Sequence, residues 1–178
     1  LAGKKILAAG QGSTPEYVIN YLLEKNGLTD SVQVDYVSEH AEAVTQMAAG
    51  NADLILVPEP FVTTALSKVE GARVALDLTQ EWAKVSDADM VMGCLVVSKA
   101  FAEANPQALR HFMTQYAVSA DYCTSHTAEA AALIEKFGIM GSAALAEKAI
   151  PNCNIVCVTG QEMVDMVTGM LTVLFDAN

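Results

Sequence analysis

Ala49-Gly50-Asn51-Ala52-Asp53-Leu54-Ile55-Leu56-Val57-Pro58-Glu59-Pro60 is the stretch on which the fold turns. A helix stops at a glycine, an acidic residue opens a short apolar strand, and the strand runs into a stiff Pro-Glu-Pro corner. A strand that is apolar on both faces and follows a helix belongs in a parallel sheet covered by helices. A corner after such a strand lies at the carboxyl edge of the sheet, where open α/β sheets bind ligands. The two prolines restrict the backbone around Glu59, so its carboxylate is a candidate partner for a ligand amine or ring nitrogen. A solvated loop glutamate is the plain alternative.

The residues on either side of this run extend the pattern. Lys5 to Ala9 is a short apolar strand, followed by Gly10-Gln11-Gly12 and a helix start at Ser13-Thr14-Pro15-Glu16. Ser13 and Glu16 have capping-box spacing, and Pro15 suits a first turn. That helix runs to Asn26 and stops at Gly27. Val32 to Val37 alternates as a strand; a second helix covers Glu39 to Ala49, with Ser38 as its expected cap. Phe61 to Lys68 is a third helix, Arg73 to Leu78 a fourth strand, and Thr79 to Lys84 a helical turn holding Trp82. The order β-α-β-α-β-α-β predicts an α/β fold with a mainly parallel sheet.

Val91 to Ser98 reads as a further strand, and after it helix follows helix. Asn105-Pro106 opens a long one with Leu109, Phe112, Met113, Tyr116 and Ala120 on one face. Thr127 to Phe137, Ser142 to Ala149 and Glu162 to Phe175 complete the series. The change of character places a boundary near 92/93 and a hinge over residues 85 to 93. The expected domains are 1–92 and 93–178.

Composition narrows the function. With hydrophobic residues at 52% of 178, the chain can build a real core, yet no run reaches the roughly 18 apolar residues of a membrane span. The net charge of −11 leaves no basic face for nucleic acid or anionic lipid. Arg73 and Arg110 are the only arginines, so the chain is poor in guanidinium forks for phosphates or dicarboxylates. A neutral, zwitterionic or weakly anionic ligand is favoured. Cys94, Cys123, Cys153 and Cys157 lack the companions and spacing of a zinc site, so no metal and no cofactor are expected. Cys123 and His126 share a helix face without a nucleophile elbow, so no catalytic residue is assigned.

The Gly10–Thr14 turn is the other candidate contact. Its glycines allow close backbone approach, and the following helix end offers free amides to an anionic head group. An ordinary capped turn is the competing reading. Trp82 is read either as a core residue or as a ring that stacks on a planar ligand.

Gly3-Lys4-Lys5-Ile6, the glycine turn, the Ala49–Pro60 run, Trp82, Leu95-Val96-Val97-Ser98, Phe101 and Asn105-Pro106, in this order and spacing, resemble the solute-binding proteins of ABC importers. The branch is the one handling nitrate, sulfonates, taurine and thiamine-pyrimidine precursors. The resemblance implies a type II periplasmic-binding-protein fold: residues 1–92 as the second α/β lobe, and 93–178 as the hinge return and C-terminal helices of an incomplete first lobe. It further implies a ligand site in the interlobe cleft, made by Gln11, Gly12, Ser13, Thr14, Ser38, Glu59 and Pro60, with Met92 and Gly93 near the second hinge crossing. An ABC permease in the membrane is the implied partner, and the place of action is extracytoplasmic, periplasmic or lipid-anchored. Leu1 opens the sequence without a visible leader, as in a fragment or a short member of the family. The apolar faces of the later helices predict self-association through the incomplete lobe. Two other functions share the fold: an enzyme of the thiamine-pyrimidine synthase type, and the effector domain of a transcriptional regulator.

Overall fold

The computed structural model describes residues 1–176; positions 177–178 of the expected second domain lie outside the described residues. Strands β1 (Lys5–Ala9), β2 (Gln33–Val37) and β3 (Ile55–Leu56) form a parallel sheet in the order β2-β1-β3. Leu7 sits opposite Asp35 on one side and Ile55 on the other. The connections are helices α1 (Thr14–Lys25) and α2 (His40–Ala48), and α3 (Phe61–Lys68) follows β3. Because β2 and β3 flank β1, the chain reverses direction across the sheet at β1. That reversal leaves a crevice at the carboxyl ends of the strands.

One face of this layer is built from Ile6, Ile19, Leu23 and Val32, all buried, with Leu28, Val34, Leu54 and Leu56 packed against them. Each such side chain stabilises by about 1.5–3 kcal/mol. The other face of α1 presents Val18 and Leu22 to Trp82 and Met170. Trp82 closes α4 (Leu78–Trp82), whose first amides are capped by the Asp77 carboxylate. The indole is 1% exposed, donates to the Ala88 carbonyl at 2.6 Å and lies 4.8 Å from the Tyr21 ring. Trp82 is therefore a core residue; it has no free face for a planar ligand.

Two expected strands do not form. Arg73 to Asp77 and Val91 to Ser98 are irregular and carry no ladder among the described residues, and Leu78 opens a helix. A strand exists only with a neighbour to take its N–H and C=O groups. These segments have the apolar content of strands without a partner beside them: Val74, Leu76, Leu95, Val96 and Val97 are all exposed.

The remaining helices are α5 (Lys99–Ala104), α6 (Pro106–Ser125), α7 (Thr127–Lys136), α8 (Ala143–Ala149) and α9 (Gly160–Asp176), with a 3-10 turn at Ile150–Asn152. Two compact units result. One holds Leu1–Met92 together with the chain from Met163 onward; the other is Gly93–Glu162. In the second unit Ala130, Ala131, Ala146 and Ile150 form a small-residue core that lets α7 and α8 approach closely, with Cys123 of α6 packed against it. The closing helix α9, grouped by sequence with the second half, belongs mostly to the first unit. Its Met170, Val173 and Leu174 cover Trp82 and α1. Gly169 permits this approach, since a Cβ there would stand 3.0 Å from the Ala88 methyl.

Candidate functional site

The parallel strands deliver three turns to the same edge of the sheet. Gly10–Ser13 follows β1, Ser38–Glu39 follows β2, and Val57–Pro60 follows β3. Between the first two turns lies a cleft of about 430 Å³ lined by Gly10, Gln11, Tyr36, Val37, Ser38 and Glu42. Gln11 and Ser38, two of the residues expected to contact ligand, are brought together in it.

The β1 turn is built by its glycines. Gly10 has φ of 86°, and a Cβ there would meet Ser13 Oγ at 2.9 Å and Pro15 Cγ at 3.2 Å. The Ser13 hydroxyl donates back to the Gly10 carbonyl at 2.6 Å and the Ser13 amide bonds the same oxygen, so Ser13 does not cap α1 with its side chain. Half of the expected capping box is present in altered form. Glu16 reaches back, but to the Gly12 amide at 2.6 Å. The tight turn carries the Gly12 N–H, one residue ahead of Ser13, to the helix end. Thr14 is the first residue of α1 and is half-buried.

The β2 turn uses the same device. α2 starts one residue later than expected, with Glu39 in the cap position, and Ser38 makes no side-chain cap. Instead the Ser38 amide donates to Glu42 Oε2 at 3.3 Å. On the far side of β1, the Glu59–Pro60 peptide is cis, and the Glu59 carboxylate accepts from the Thr63 amide and hydroxyl, both at 3.1 Å. Glu59 thus caps α3; with Pro60 it stands at the same sheet edge but does not line the cleft. Met92 and Gly93 are exposed where the two units divide and also lie outside its lining. Val85, Met90 and Val91, within the expected hinge, pack against the Trp82 cluster.

Two buried polar atoms at this edge have no hydrogen-bond partner among the described residues: Tyr36 Oη and His40 Nδ1, the latter ring 5.3 Å from that of Phe61. Burial, reinforced by the negative charge of Glu16, pushes the Tyr36 phenol above its ordinary pKa and keeps it neutral. Tyr36 and Glu42 were not singled out from sequence. A usable signal was present: a glutamate stands four residues after a turn residue at both Gly12 and Ser38.

Elsewhere, His126 stacks on Tyr122 at 4.6 Å and meets Ser125 Oγ at 2.8 Å, while Cys123 faces the small-residue core. Among the described residues no group of three or more His, Cys, Asp or Glu is placed to hold a metal ion, and no helix is long and apolar enough to cross a membrane.

The fold has a solved counterpart. It is similar to an ABC transporter chain from Parabacteroides distasonis, with a TM-score of 0.73 and 22% identity over 99% of this chain. This chain spans 61% of that one's length. The α/β class with a small parallel sheet followed by helices, expected from the sequence, is the observed one. The sequence profile of the NMT1-like family matches residues 2–137, and the chain belongs to that family. No curated protein matches it in sequence.

Proposed function

We propose that the chain is the substrate-binding component of an ABC transporter, or a part of one, and that it captures a small polar solute at the carboxyl edge of its sheet. The observation that carries this is the cleft between the β1 and β2 turns, at the carboxyl edge of the parallel sheet, in a chain with the fold of an ABC transporter protein. Gln11 and Ser38 are the proposed contacts within the cleft. Gly12, Ser13 and Thr14 shape its turn, and Glu59, Pro60, Met92 and Gly93 belong to the wider site that the resemblance implies. No chemistry is done on the solute. Delivery to a membrane permease, an extracytoplasmic or lipid-anchored location and a two-lobe mechanism of capture are parts of the same proposal. The solute classes implied by the resemblance are sulfonates, nitrate-like anions and pyrimidines.

Calorimetric titration of the protein with methanesulfonate, nitrate, small amines and aminopyrimidines tests the reading. Saturable heat from one of them, lost on Gln11→Ala, is the expected result. Silence across the panel counts against it. Self-association is proposed alongside, because apolar side chains of the second unit stand in solvent, Phe137 at 71% and Ile139 at 72%. Light scattering should give a mass that rises with concentration; a constant monomer mass would refute it.

A further inference from the structure

Helix N-termini at the carboxyl edge of a parallel sheet normally attract anions, through unpaired first-turn amides and the positive end of the helix dipole. All three helix starts at this edge have already supplied their own anion. Glu16 takes the Gly12 amide ahead of α1, Glu42 takes the Ser38 amide ahead of α2, and Glu59 takes the Thr63 amide of α3. The Ser13 amide is spent on the Gly10 carbonyl. An incoming sulfonate or nitrate would find these donors used and carboxylates in place.

Charge is also segregated along the sheet. Lys4 and Lys5 stand at the amino end of β1, and Lys25 and Lys68 sit in the last turns of α1 and α3, which return to that same amino edge. Lys5 is further engaged by Asp35. No lysine or arginine lines the cleft; what it offers is the Glu42 carboxylate, the Gln11 and Ser38 residues and the body of Tyr36. The glutamates are spread over three helix starts and do not converge as metal ligands.

On the reading of the chain as a solute-binding protein, we infer that this cleft takes a small organic solute bearing a protonated amine, with Glu42 as its charge partner, and that it rejects anions. Among the described residues Glu42 accepts one amide, at 3.3 Å, so its carboxylate retains free acceptor positions. A charge-assisted hydrogen bond to it is the strongest single contact the lining can make.

The test is thermal-shift and calorimetric titration of the full chain at low salt with ethylamine, ethanolamine and putrescine as chlorides, against sodium methanesulfonate and sodium nitrate. Saturable binding of at least one amine is expected, falling about tenfold or more in Glu42→Gln and unchanged in Lys68→Gln. Circular dichroism establishes that Glu42→Gln is folded; if it is not, Glu42→Asp, which keeps the charge but withdraws it from the cleft, takes its place, with a weaker loss of the same sign. Amine binding indifferent to every cleft variant overturns the assignment of Glu42. Saturable binding of methanesulfonate or nitrate with none of the amines overturns the inferred class and leaves the solute-binding reading standing. No response to any compound here or to the wider panel of solutes overturns both.

Discussion

Val34, in β2, and Val96, in the segment after the first unit, occupy runs of similar apolar content, yet they end differently. The first packs against the Ile6–Ile19–Leu23 cluster in a hydrogen-bonded strand; the second is 88% exposed in a segment with no strand partner among the described residues. The difference teaches that β structure belongs to a pair of segments. Apolar content made both candidates, and only the presence of β1 alongside made one of them a strand.

The strongest way to break this comparison is to remove a side chain on each side of it. Trp82→Ala, in the packed region, should cost about 3–5 kcal/mol by denaturant unfolding, whereas Val96→Ala should stay within about 0.5 kcal/mol. A loss at Val96 approaching that at Trp82 would mean that residues 90–98 are paired in solution. A smaller effect probes how the paired region is turned. Gly10→Ala forces a Cβ into a left-handed conformation and should destabilise by about 1–2 kcal/mol, seen as a lower urea midpoint with an unchanged slope. If stability is unaltered, the β1 turn is not the rigid element described here.

The smallest effect is a pH dependence at the surface of the paired region. The hydrogen bond from Lys5, helped by one from Gln33, holds the Asp35 carboxyl below its usual pKa. The depressed folded-state value means that the contribution is present above the unfolded carboxylate range and is lost as pH falls through the folded-state value. Asp35→Asn should therefore lower stability slightly at neutral pH, change it least in acid, and so flatten the acid limb of the stability curve. A larger loss at acid than at neutral pH would contradict that sign. For Tyr36 the sign is opposite: its raised pKa contributes stability below about pH 10 that fades as the folded form ionises.

Much of the helical architecture was legible because helix ends are local. Asn105-Pro106 and Ser142 open helices where expected, and Phe61–Lys68 is a helix over the very residues read for it. The first three strands were legible because each alternates with a capped helix, which leaves little choice of partner. Residues 72–77 and 90–98 were misread because pairing is a nonlocal fact that local pattern cannot carry. The roles of Ser13 and Ser38 were misassigned for a different reason. Sequence spacing says which residues can reach an amide, but not that Glu16 and Glu42, with longer side chains, reach it first. At the candidate site the two turns were visible, while Tyr36 and Glu42 were not; their importance comes from what β2 and α2 place beside Gln11.

The return of α9 to the first unit makes that unit discontinuous in sequence. During synthesis, therefore, Trp82 emerges roughly ninety residues, and α1 roughly 145 or more, before Met170, their last cover, so the first unit to begin is among the last to be finished. The Gly93–Glu162 unit, contiguous and rich in local helix contacts, is free to form in the interval. The chain's single tryptophan lies at the seam where α9 docks. Its fluorescence is a built-in clock for the closing step of folding, and it needs no added label.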